Sequence, residues 1–248
     1  MGKQAQILLV TRIILLAWPL WSGAAQAESV NAAQYQAFWL WAAVKPQPAL
    51  HHAQTLYLHQ GEIARRQGRV VFLRQGIPAS KLRVPHLWLS YRLTTLSLSD
   101  EHLRRMLKLQ ESWRRHGNRV RGIQLDFDAE SRQLAEYAVF LQQLRARLPD
   151  DCRLSITGLL DWSKTGDVAE LNRLRGSIDE LVIQTYQGRA TVTNYADYLP
   201  ALKKLTIPFR LGLVQHGKWD SVWQQRLAAS PYYRGEVVFL VNPLRKKP

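Results

Sequence analysis

The chain has a single cysteine, Cys152, in 248 residues, so it can form no disulfide of its own. A domain of this length can bury enough apolar surface to fold without that staple. Cys152 opens the apolar alternation Leu154, Ile156, which marks it as a small packed hydrophobe. No His is placed to activate it as a nucleophile. Acidic residues are also scarce, 19 against 34 Lys and Arg, for a formal net charge of +15. Absent too are the G-x-S-x-G nucleophile elbow, the G-x-x-x-x-G-K-[ST] phosphate loop and a Gly-rich turn after a first strand. The seven histidines (His51, His52, His59, His86, His102, His116, His216) form no H-x-x-x-H or H-E-x-x-H pair, which argues against a zinc centre. Serine-hydrolase, P-loop and dinucleotide chemistries are therefore set aside, and neither cofactor nor metal is expected.

The chain has one long apolar run, and it stands at the start. Lys3 and Arg12 precede Ile13-Ile14-Leu15-Leu16-Ala17-Trp18-Pro19-Leu20, and Ala25-Gln26-Ala27 supplies a small-x-small cleavage site. That order reads as a signal peptide over residues 1–27, and the run is too short for a stable membrane span. The alternative is an uncleaved N-terminal anchor. Residues 28–248 then form one domain in the periplasm or outside the cell. Removing Lys3 and Arg12 lowers the net charge by only two. Arg65-Arg66, Arg104-Arg105, Arg114-Arg115, Lys203-Lys204 and the tail Arg245-Lys246-Lys247 are scattered as on a solvated face. Their sum would also attract the chain to anionic envelope surfaces. Export argues against nucleic acid as a partner, and a monomer is expected.

Strand-like runs cover Phe38–Ala43, Thr55–Gln60, Val70–Arg74, Leu87–Leu93, Gly122–Phe127, Arg153–Leu159, Glu180–Tyr186, Phe209–Gln215 and Glu236–Val241. Helical patterns lie between the later ones. Ser99 and Asp100 cap a helix carrying Leu103, Met106, Leu107 and Trp113, with Gly117 as its stop. A second shows Leu134, Tyr137, Ala138, Leu141, Leu144 and Leu148. A third starts at Asp167 with Glu170 in capping-box spacing, a fourth carries Tyr195, Tyr198, Leu199 and Leu202, and a weaker fifth Val222, Trp223 and Leu227. Strand–helix repetition without a composition break predicts one α/β domain, a TIM-like (β/α)8 barrel over roughly residues 30–243. Between Thr55 and Arg74 only Gly61–Gly68 separates two strands, too little for a crossover helix. That segment is expected to be a hairpin, leaving the barrel's first half irregular and helix-poor. An open doubly wound sheet is the alternative.

The most informative stretch is Arg121-Gly122-Ile123-Gln124-Leu125-Asp126-Phe127-Asp128. Ile123, Leu125 and Phe127 alternate with Gln124, Asp126 and Asp128, so one face of a central strand carries two carboxylates. Burying them is costly unless a site uses them; the alternative is a half-exposed strand with Asp128 capping the next helix. The same parity turns Gln184 and Tyr186, Ser155 and Thr157, and Arg92 toward the lumen, with active sites expected at the strands' C-terminal ends. Trp162, in a loop after a strand, supplies a flat face of the kind that stacks on sugars. Trp39 and Trp41 read as core.

Gly122-Ile123-Gln124-Leu125-Asp126-Phe127-Asp128 resembles the fourth-strand signature of family-18, chitinase-type glycoside hydrolases, usually D-G-x-D-x-D-x-E. Gly122, Asp126 and the acidic Asp128 match; Gln124 and Arg121 each replace an Asp, and Asp128 is one methylene shorter than Glu. Gln184-Thr185-Tyr186 resembles that family's later M/Q-x-Y. Leu154-Ser155-Ile156-Thr157-Gly158-Leu159 and Val182-Ile183-Gln184-Thr185-Tyr186 resemble a bacterial family labelled domain of unknown function 3142. The chitinase-type resemblance implies glycoside cleavage, with Asp128 as general acid, Asp126 orienting the substrate's amide, and Gln124, Gln184 and Tyr186 binding sugar. Trp162 and Arg92 join them as expected binding residues. The partner would be a glycan or cell-envelope polysaccharide, bound without cleavage if the shorter acid falls out of reach.

Overall fold

The computed structural model describes residues 27–128, 133–163 and 168–243. The expected secretory segment (but for Ala27), Asp167 and the tail Arg245-Lys246-Lys247 lie outside the described residues. Nine strands form the main sheet: β1 (Ala37–Leu40), β2 (Thr55–Arg66), β3 (Arg69–Arg74), β4 (His86–Leu93), β5 (Val120–Asp126), β6 (Arg153–Leu159), β7 (Glu180–Gln184), β8 (Phe209–Val214) and β9 (Tyr233–Phe239). All but β3 run parallel in the order β1-β2-β4-β5-β6-β7-β8-β9. β9 returns to β1 through Val238↔Phe38 and Phe239↔Trp39. The sheet is thus a closed eight-stranded barrel, which excludes the open doubly wound alternative. β3 is the expected hairpin partner, antiparallel to the long outer half of β2 from Gly61↔Arg74 to Arg66↔Arg69.

Four α-helices are described: α1 (Asp100–Arg115), α2 (Leu134–Arg147), α3 (Val168–Asn172) and α4 (Val222–Ala228). None precedes β4, so the first half is helix-poor, as Gly61–Gly68 had implied. Ser99 Oγ accepts the His102 N–H at 3.2 Å, Asp100 and Glu101 fill the first turn of α1, and Arg114 and Arg115 the last. Gly117 then turns the chain at φ +83°, a conformation that L side chains resist. The segment expected as a fourth α-helix is instead two 3-10 turns, Tyr195–Asp197 and Leu199–Lys204. Pro200 lacks the N–H that a continuous helix would need there.

Strand parity divides the apolar residues into two cores. Phe38, Leu56, Leu58, Ile123, Leu125, Leu154 and Ile156 join Trp113, Tyr137 and Leu141 in the layer between strands and helices. Trp39, Tyr57, Trp88, Val182 and Val237 form a separate cluster filling the lumen. Tyr57 stacks on Trp88 with ring centroids 6.0 Å apart. Space for Trp39 comes from Gly212, where a Cβ would lie 2.8 Å from the indole. Cys152 is fully buried, its Sγ 3.1 Å from Gln110 Oε1, and burial pushes its thiol pKa up.

Candidate functional site at the C-terminal mouth of the barrel

Three adjacent strands converge on one carboxylate. Asp126 ends β5 and is 6% exposed. Its Oδ1 accepts from Thr157 Oγ1 of β6 at 2.9 Å and from Gln184 Nε2 of β7 at 3.3 Å. Burial pushes the Asp126 pKa up to about 6, and the negative charge of Asp128 adds to the rise; Thr157, Arg92 and Gln184 pull the other way. A carboxyl so placed can hold or release a proton near neutrality.

Asp128 lies two residues past the end of β5, in the loop, and is exposed. Arg92 of β4 reaches it, Nη2 to Oδ2 at 3.2 Å. Asp128 lines a cleft of about 540 Å³ with Gln184, Tyr186, Leu160, Asp161 and Tyr198. The Tyr186 ring packs on Phe239 at 5.6 Å, and Phe239 in turn lies 6.1 Å from Trp41, an aromatic wall across the mouth. Burial, then the charges of Asp126 and Asp128, hold the Tyr186 phenol pKa well above its ordinary value. Tyr186 therefore offers an O–H beside two carboxylates.

Arg92, Asp126, Asp128, Gln184 and Tyr186 thus come together at one mouth. Two expected binding residues do not join them. Gln124 is fully buried lower in the lumen: its Oε1 accepts from Trp39 Nε1 (2.5 Å) and Ser90 Oγ (3.3 Å), and its Nε2 donates to Ser155 Oγ (3.1 Å). Its oxygen is spent on the lumen, and the amide, fully buried, lies out of reach of a ligand in the cleft. Trp162 is 1% exposed in the 3-10 turn Leu160–Ser163, edge-on to Tyr137 at 6.3 Å and against Gly158. Its ring is core between barrel and α2, since the chain folds straight back after β6.

One residue passed over in the sequence stands at the same mouth. His59 shares the lumen parity of Tyr57, is 3% exposed, and lies under the Trp41 ring with centroids 3.9 Å apart. Among the described residues neither ring nitrogen has a hydrogen-bond partner of good geometry. Burial pushes its pKa down to about 4, the Gly61 backbone opposing and Arg92 and Arg74 adding, so the imidazole is neutral. A search for metal-binding pairs misses it; the period-two pattern Tyr57-x-His59 was the available signal. Among the described residues no group of three His, Cys, Asp or Glu is arranged to hold a metal ion.

No curated protein matches the chain. Among solved structures, the crystal structure of the Bacillus cereus spore cortex-lytic enzyme SleL is similar at 16% identity and a TM-score of 0.42, over 71% of this chain. This chain spans about half of that protein, 49% of its length. Residues 84–199, which carry Arg92, Asp126, Asp128, Gln184 and Tyr186, match the family model described as a domain of unknown function (DUF3142).

Proposed function

We propose that the chain is an exported carbohydrate-active barrel protein that binds a glycan in the C-terminal cleft and cleaves a glycosidic bond there. The observation that carries this reading is the convergence of Asp126, Asp128, Gln184 and Tyr186 on one mouth walled by aromatic rings. Sugar rings stack on flat apolar faces while their hydroxyls bond to carboxylates, amides and phenols. In this reading Asp128, the carboxylate open to the cleft, gives the proton to the leaving oxygen. Asp126, fixed by Thr157 and Gln184, holds the reacting sugar, and Tyr186 donates to it.

A second reading rests on the Arg92–Asp128 pair. A guanidinium 3.2 Å away already engages one oxygen of this carboxylate, and Asp is a methylene shorter than Glu. A displacement of about 1 Å can cost ~100-fold in rate. The protein would then hold an envelope glycan without cutting it.

The deciding experiment incubates the purified chain and its Asp128→Asn variant with amino-sugar and neutral glycans, following new reducing ends and binding together. Cleavage by the parent and none by the variant supports the hydrolase. Binding by both with no new ends supports the second reading. Neither binding nor cleavage of any glycan ends the carbohydrate assignment.

A further inference from the structure

The opposite, N-terminal mouth of the barrel holds a separate cavity of about 290 Å³, lined by His86, Arg121, Arg153, Glu180, Arg210 and Arg234 among others. The cations come from the first residues of β5, β6, β8 and β9, so the closed barrel itself gathers them in a ring. Bottom faces of such barrels ordinarily serve stability, and a stability role favours balanced charge. Here the balance fails. Glu180 is used up: its carboxylate accepts from Tyr57, from Ser155 Oγ (3.1 Å) and from Arg210 Nε (3.0 Å). Asp179, also in the wall, accepts the Leu154 N–H at 2.8 Å and lies 3.7 Å from Arg145. Among the described residues Arg234 donates to the carbonyls of Pro231 and Tyr233 and to no carboxylate. Arg121 and Arg153 are exposed and have no carboxylate within ion-pairing distance among the described residues.

His86 reports the same imbalance from inside the cavity. Burial, then the charges of Arg121 and Arg119, push its pKa down, the Pro85 backbone opposing and Arg210 adding, and among the described residues its buried Nδ1 has no hydrogen-bond partner of good geometry. Like charges held together at one mouth repel, and an anion placed between them relieves that repulsion. The planar donor forks of Arg match tetrahedral oxyanions bidentately.

We propose that this cavity binds a phosphate group, with Arg121 and Arg153 as its principal donors. The phosphate could be free or carried by a membrane lipid, and the chemistry of recognition is shared. This site is independent of the glycan cleft at the other mouth.

The test uses the full chain in phosphate-free, low-salt buffer, titrated calorimetrically with inorganic phosphate. Flotation with phosphatidylglycerol–phosphatidylcholine vesicles, against pure phosphatidylcholine, follows in parallel. Arg121→Gln/Arg153→Gln removes the rim donors; Arg66→Gln/Arg104→Gln removes the same charge from the exposed hairpin and α1. Thermal unfolding checks that both fold. The expected result is binding by the parent and the second variant, weakened about tenfold or more in the first. Response to inorganic phosphate identifies a soluble phosphate; response to the anionic vesicles alone identifies a lipid headgroup. Equal loss in both double variants means diffuse attraction and overturns the proposal. So does a parent protein that binds neither probe.

Discussion

Arg92 and Asp126 are register partners on adjacent strands, yet the Arg92 guanidinium reaches past Asp126 to Asp128, 3.2 Å away. The buried carboxylate is left to the neutral donors Thr157 and Gln184, and the exposed one takes the cation. The two side chains of the ion pair are 45% and 53% exposed, so solvent screens it and its worth in stability is about 1 kcal/mol or less. Its electrostatic reach is the larger effect. Arg92→Gln is expected to leave the melting temperature nearly unchanged while moving the Asp126 titration above its value of about 6. Carboxyl-carbon NMR across pH measures that midpoint; a midpoint unmoved by the substitution would sink this account.

The raised Asp126 pKa has a consequence for stability. An unfolded Asp titrates at 3.8 and the folded one at about 6. The folded state therefore binds the proton more tightly, and Asp126 contributes its full stabilisation below pH ~4, losing it as pH rises through ~6. The difference is about 2–3 kcal/mol at most. Asp126→Asn keeps the Oδ1 that accepts from Thr157 and Gln184 but cannot ionise. It should match the parent at pH 4 and exceed it in stability at pH 7, by denaturant unfolding at both values. A constant gap between the two proteins would show that Asp126 is not the source.

What the sequence made legible was whatever depends on period. Alternation placed β5, β6 and β3 within a residue or two, and parity sent Asp126 and Gln184 to one lumen; β2 was found but runs to Arg66, six residues past the expected Gln60. What it could not show was depth. Gln124 and Asp126 share a face, yet two residues of rise separate a packed lumen layer from the mouth. Nor does periodicity see where a chain leaves the sheet. Glu180–Tyr186 reads as one strand, but β7 ends at Gln184, and Tyr186–Gln187 pairs instead with Ala190–Thr191. Trp162 looked like a loop platform because a sequence does not reveal that the turn after β6 folds onto α2.

Gly122 sits in the Gly-x-x-x-Asp motif without touching the cleft. A Cβ there would fall 1.9 Å from the Arg153 carbonyl oxygen on β6, and backbone cannot swing aside as a side chain can. Gly122→Ala is expected to cost about 2–4 kcal/mol by forcing β5 and β6 apart. Gly68→Ala, at φ +76° with nothing within 4 Å, is the comparison for backbone strain alone. Denaturant midpoints decide; a Gly122→Ala loss no greater than that of Gly68→Ala would contradict the close-approach argument.

His59 separates folding from function most cleanly. A buried imidazole with neither nitrogen well bonded among the described residues carries a desolvation cost of about 1–3 kcal/mol. If the ring served packing alone, a similar apolar residue under Trp41 would serve better. His59→Leu is therefore expected to be as stable as the parent or about 1 kcal/mol more so, measured by denaturant unfolding. The same variant should bind glycan more weakly, because the polar group beside Arg92 that the site retains at a cost to folding is gone. Loss of stability would mean that the ring is a packing element. Unchanged stability with unchanged glycan affinity would remove His59 from the site.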